Sequence, residues 1–296
     1  MDANRLGPPI ILVSFLLILL AATRLPAQDS ITWMEVNMPP YFIQEGPDKN
    51  QGYGDAISAI LQENLPEYEH FEMVTNVTRH FHKFQQGEKV CSVGLYRTPE
   101  REAFMHFSIP SFLTLPAVLL VSKETATDLG SPSRIRLDDI LRDKQFIIGL
   151  SKDRSYGARI DAILKQYAEQ KNLIVYAGQE LSANYFKMLL LKRIDGLIAL
   201  PDEAMYHAEK MGIRDRLTTL IIEENQEGYE GWLCSVGCSK NEWGRTVIDK
   251  IDTILREQRP IERYRSAYER WLDANSLERY RTVYRDVFLK SGTKEL

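Results

Sequence analysis

The apolar and polar positions of the 296-residue chain fall into two successive runs of strand-then-helix alternation. The segment "ITWMEVNM" (31–38) alternates with a period of two and predicts a strand. A turn-rich loop, "PPYFIQEGPDKNQGYG", follows. "DAISAILQENL" then places Ala56, Ile57, Ile60 and Leu61 on one helix face. "FEMVT" predicts a second strand, "NVTRHFHKFQQG" a short helix ended by Gly87, and "KVCSVGL" a third strand. The order β-α-β-α-β implies a largely parallel sheet.

The alternation restarts at "AVLLVSK" (117–123). Strands are predicted at "FIIGLS", "LIVYAG", "IDGLIALP" and "LTTLIIEE". The helices between them include "SANYFKMLLLKR", with Ser182 as its N-cap, and "DEAMYHAEKMG". "WLCSVGC" is one more strand. Beyond it "GRTVIDKIDTILREQRPIERYRSAYERWLD" carries Val247, Ile248, Ile251, Ile254 and Leu255 on one face, which needs an apolar partner. The economical solution returns the chain to the first unit. The expected fold is therefore α/β: two Rossmann-like lobes joined by a two-strand hinge. Lobe 1 takes residues 28–115 plus 225–296 and lobe 2 takes 116–224. The crossings fall near Leu113–Val121 and Glu223–Trp232, an arrangement that can close over a ligand.

The first 27 residues add a compartment. Arg5 precedes the apolar run "PPIILVSFLLILLAA", and Ala27 offers a small residue for cleavage after "TRLPA". The run has the length of a secretory h-region rather than of a membrane span. Residues 1–27 read as a signal peptide, with an uncleaved anchor as the alternative, and the expected location is periplasmic. No cysteine follows the run, which speaks against a lipid anchor. Export permits disulfides, and the chain has three cysteines, Cys91, Cys234 and Cys238. Cys234 and Cys238 share a strand-like segment that holds them apart. The expected pair is Cys91–Cys238, leaving one thiol free or pairing between chains.

Charge narrows the partners. Lys plus Arg number 37 and Asp plus Glu 41, a net of −4. That balance argues against a general nucleic-acid binder, which needs a basic face. No phosphate-loop motif, repeat or heptad run is present. His80 and His82 lie two apart without a CxxC partner motif, so no metal is expected, and the pair reads as surface. No cofactor is expected, and the chain is expected to be a monomer.

Chemistry concentrates in "GLYRTPEREAFMHFSIP" (94–110), which puts Arg97 and Arg101 just past a strand end. Open α/β sheets hold ligands there. Arg97 reads as solvated. This stretch, with "PPYF…GYGDAISAIL", "IGLSKDRSYGARI", "LKRIDGLIALPDEA" and "WGRTVIDKIDTIL…ERWL", resembles bacterial solute-binding family 3 in order along the chain. That is the amino-acid-binding type of periplasmic protein with a type II fold. The resemblance implies that Arg101 clamps a ligand carboxylate with two parallel donors. It implies that Ser155, near a helix N-terminus, faces the same anion, with Arg154 an extra cation nearby. Tyr41, Tyr53 and Tyr96 become cleft aromatics, and Met38 adds apolar lining. Trp33 and Trp271 read as core.

One position departs from the family pattern. The residue that would hold an α-ammonium group, five after Asp195, is Leu200. Asp202 lies two further on, beyond Pro201. Asp195 itself reads as structural. The expected ligand is therefore a small anionic, carboxylate-bearing solute and not a standard L-amino acid, taken up through a membrane transporter or reported to a sensor. No enzyme activity is expected. The alternatives are a dehydratase or lyase on the same scaffold, using Glu100, Asp202 or Glu203 as acid or base, and an exported domain that binds another protein.

Overall fold

Each run of alternation builds its own sheet. The computed structural model describes residues 28–292 apart from 152–153, 177–182 and 227. The signal-peptide reading of 1–27, with Ala27, and the Ser182 cap lie outside the described residues. β1 (Ser30–Glu35) runs parallel to β2 (Glu69–Val74) and β3 (Val90–Leu95), as the first β-α-β-α-β order requires. β4 (Met105–Leu113) is the far edge strand. The second sheet contains β5 (Val118–Ser122), β6 (Arg134–Ile135), β7 (Ile148–Ser151), β8 (Leu173–Tyr176), β9 (Gly196–Ala199) and β10 (Leu217–Ile222). The chain then crosses back, and β11 (Leu233–Ser239) inserts between β3 and β4, antiparallel to both. The sheet orders are β2-β1-β3-β11-β4 and β6-β10-β5-β9-β7-β8.

The second sheet is less uniform than simple alternation suggests. β5 is antiparallel to both neighbours, β9 and β10, because it arrives directly from the first crossing rather than through a helix. All five of its residues are buried, as a strand covered on both faces should be.

The returning helix Glu242–Gln258 buries the stripe read from the sequence, Val247, Ile248, Ile251, Ile254 and Leu255, in the core of the first lobe. Asn241 accepts from the Gly244 N–H at 2.8 Å and caps it, a contribution of about 1 kcal/mol. Trp33 and Trp271 lie in the same core. Asp195 is structural, accepting the Ile147 N–H at 2.8 Å.

His80 is a correction. It is buried rather than at the surface, packed on Phe81 and Phe84, with neither ring nitrogen hydrogen-bonded. Residues 80 and 84 share the inward face of helix Val77–Gln85, so the helical period decides its place. Burial pushes its pKa down to about 4, leaving a neutral ring at physiological pH.

Cys91 and Cys238 form a disulfide between directly paired positions of β3 and β11, and Cys234 is free and buried. The bond closes a loop of 147 residues, for which chain entropy gives roughly 5 kcal/mol. Cys91→Ala is expected to lower the unfolding free energy by about 2–5 kcal/mol, measured by urea denaturation. Equal midpoints for the wild type with and without reductant would show that the bond does not stabilise the fold.

Candidate functional site

The two sheets leave a cavity of about 1120 Å³ between them, next to the C-terminal ends of β1 and β3. Lobe 1 lines it with the loop around Met38–Tyr41, the start of helix Tyr53–Glu63 and the residues after β3 and β4. Lobe 2 lines it with Arg154, Ser155 and helix Pro201–Lys210.

The lobe 1 wall is aromatic. Tyr41 stacks 5.4 Å from Tyr53 and 5.6 Å from Phe112, and its hydroxyl donates to the Val93 carbonyl. Gly94 permits this approach. Its φ is +76°, and a Cβ there would overlap the Tyr41 hydroxyl and the Phe112 ring. Tyr96 also lines the cavity, with its hydroxyl beside the free Cys234, and burial raises that hydroxyl's pKa. Thr114, on the first crossing, lines the cavity with its Oγ1 buried beside the Tyr96 hydroxyl.

Lobe 2 brings the charges. Arg154 faces Glu203 in a fork-to-fork pair, with Nη1 to Oε1 at 3.0 Å and Nη2 to Oε2. Lys210 reaches across to Asp48 of lobe 1, which also accepts from Arg270 at 3.1 Å. Asp202 differs from both. It is 4% exposed and, among the described residues, has no cation within ion-pair distance. It accepts the Tyr268 hydroxyl at 3.2 Å, and that hydroxyl oxygen accepts the Leu115 N–H at 3.1 Å. Burial, with repulsion from Glu203 second, pushes the Asp202 carboxyl up to about 6.

No protein family's sequence profile and no curated protein matches the chain. Solved structures do. A polar amino acid ABC uptake transporter substrate binding protein from Streptococcus thermophilus matches with a TM-score of 0.62 at 16% identity, over 88% of this chain and 92% of that one. An ancestral cationic amino acid solute binding protein matches at 0.61 and 15% identity, over 83% and 96%. An ancestral cyclohexadienyl dehydratase matches at 0.51 and 18% identity, over 82% and 93%. This is the type II periplasmic binding fold.

In that fold the cavity lies between the lobes, and six of the seven residues singled out from the sequence line it: Tyr41, Tyr53, Tyr96, Arg154, Ser155 and Asp202. Arg101 does not. Its guanidinium donates to the Tyr96 carbonyl at 2.8 Å and lies over the Phe81 ring at 4.6 Å, behind the wall that Tyr96 makes. The hydroxyl of Ser155 is also engaged. It donates to Asp161 at 2.5 Å, while the other Asp161 oxygen accepts the Tyr156 N–H at 2.9 Å. The chain's own carboxylate thus serves the entry of helix Ala158–Gln166. Arg97 is exposed and paired with Glu102.

Sequence reasoning missed Thr114, Tyr206, His207, Lys210 and Tyr268. The last four sit on helices whose polar faces carry no motif. The only signal was spacing: Asp202, Tyr206 and Lys210 recur every four residues and so share one face.

The Asp202 carboxyl ionises near 3.8 when unperturbed and near 6 in the fold. The folded state therefore holds a proton that the unfolded chain has released, and stability falls as pH rises through that window. Asp202→Asn removes the penalty. The variant should be more stable than the wild type by roughly 2–3 kcal/mol at pH 7.5 and indistinguishable at pH 3.5, read as urea midpoints. A pH-independent gap would contradict the burial argument.

Proposed function

We propose that the protein is an exported solute-binding protein whose lobes close over a small amine-bearing solute of the amino-acid class, for delivery to a membrane transporter. The supporting observation is Asp202: a buried carboxyl in the cavity wall, bonded to a phenol and paired with no cation. An ammonium group placed there supplies the missing counter-charge, and enclosure strengthens the pair. Leu200 had argued against an α-ammonium group. Asp202, one helical turn's start further on, offers the acceptor that Leu200 lacks. The purely anionic solute is correspondingly disfavoured, because Arg154 and Lys210 already hold carboxylates. Tyr41, Tyr53 and Phe112 supply apolar faces. The apolar leader at 1–27 supports the exported location, and the fold's solved examples include transporter-linked amino-acid binders.

A dehydratase or lyase reading has one observation in its favour. A buried carboxyl titrating near 6 is suited to general acid chemistry. Turnover of a small carboxylic acid that disappears in Asp202→Asn would replace the binding reading with this one.

Amines, amino acids and plain carboxylates can be compared by thermal shift and calorimetry. An amine-bearing solute should bind, and Asp202→Asn should lose about 2–5 kcal/mol of its affinity. Affinity should also fall about tenfold per unit as pH drops below 6, because a protonated Asp202 no longer meets the cation. A carboxylate lacking an amine that binds wild type and Asp202→Asn equally would overturn the proposal.

A further inference from the structure

A second cavity, about 430 Å³, lies between the edge of the lobe 2 sheet, the second crossing and helix Ala274–Val283. Arg279 lines it from the helix, Tyr229 from the crossing and Arg134 from β6. Arg279 is 8% exposed, yet among the described residues it pairs with no carboxylate. Its Nε and Nη2 both donate to the Tyr229 hydroxyl, at 3.0 and 2.8 Å, and its Nη1 is buried with no acceptor. The Tyr229 hydroxyl in turn donates to Gln226 at 3.2 Å. A buried guanidinium whose acceptor is one neutral phenol is an incomplete site, because a buried charge without a counter-charge is unfavourable.

The second cation makes the deficit larger. Arg134 is exposed and bonds to no side chain among the described residues. Burial, and to a smaller extent Arg134 itself, disfavours the charge on Arg279. The carboxylates at the rim do not relieve it. Glu278 and Asp286 are both exposed, and Asp286 is held by Arg285 at 3.0 Å. Neither lies within ion-pair distance of Arg279 or Arg134.

We infer that this cavity is a site for a small oxyanion, a phosphate or a dicarboxylate, held between Arg134 and the Arg279–Tyr229 pair. Planar guanidinium groups meet such oxygens with two donors each. The three elements it would join are a lobe 2 strand, the second crossing and the helix that follows the lobe 1 core. The site shares no lining residue with the cavity between the lobes and is separate from it.

The test uses the full mature chain and inorganic phosphate, titrated against sodium chloride of matched ionic strength, with succinate as a second probe. Melting temperature is the readout. A saturable rise with phosphate identifies a phosphate site, and one confined to succinate identifies a dicarboxylate site. In Arg134→Ala, a surface change that leaves the fold intact, the apparent affinity should drop at least tenfold. In Asp202→Asn it should be unchanged. Arg279→Lys, which keeps the charge and loses the paired donors, should weaken it as well. No saturable rise with either anion, or a rise undiminished in Arg134→Ala, would overturn the inference.

Discussion

The architecture depends on the slot between β3 and β4. The two strands run in the same direction, yet only residues 96–104 connect them. Parallel neighbours need a crossover of about a dozen residues or more, so these two cannot lie side by side. They are held one strand apart, and the gap is filled by β11. Everything else follows from that vacancy. The chain must leave lobe 1 after β4, build lobe 2 and return, which creates two crossings. The crossings join β4 to β5 and β10 to β11, and a cavity lies between the two sheets. The short connection also carries the helix Pro99–Glu102, so the same constraint holds Arg101 beside the site.

The cavity itself is an uneven partition of polarity. Its lobe 1 wall is mainly aromatic, with Glu45 among its residues. Its lobe 2 wall carries Arg154, Asp202, Glu203 and Lys210, on one helix and one loop. Two of its cations are neutralised within the protein, so positive charge on the wall does not mean an unoccupied anion site. Among the described residues two lining carboxylates have no cation, Glu45, which is exposed, and Asp202, which is buried, so the electrostatic deficit of Asp202 is the more informative.

Much of this was legible in the sequence. Periodicity located nine of the eleven described strands and the returning helix, because those depend on local apolar spacing; β4 and the two-residue β6 were not predicted as strands. Strand geometry excluded Cys234–Cys238, and the favoured pair, Cys91–Cys238, is the one the structure holds. Tyr41, Tyr53 and Tyr96 reached the cavity because backbone position decides where their rings lie. What the sequence could not give was side-chain direction over several bonds. Arg101 sits where a clamp is expected, but its long stem folds back onto Phe81 and the Tyr96 carbonyl. His80 looked exposed only because its helix was read without its partner Phe84. Asp202 was two residues from its expected place, and only the helix start after Pro201 shows that its carboxyl enters the wall. Tyr268 comes from a segment 66 residues away, a tertiary pairing with no local signature.

Asp48 has a further bearing on how the cleft works. It holds Lys210 of lobe 2 and Arg270 of lobe 1 at once, at the rim. Separating the lobes there removes one cation from Asp48 and leaves it the other. The carboxylate is never stranded, and a part-exposed pair of this kind is worth at most about 1 kcal/mol. The rim contact is thus a latch with little holding force, released by thermal motion and weakened further by salt. The rim pair therefore adds little to holding the two lobes together, and its share shrinks further as ionic strength rises.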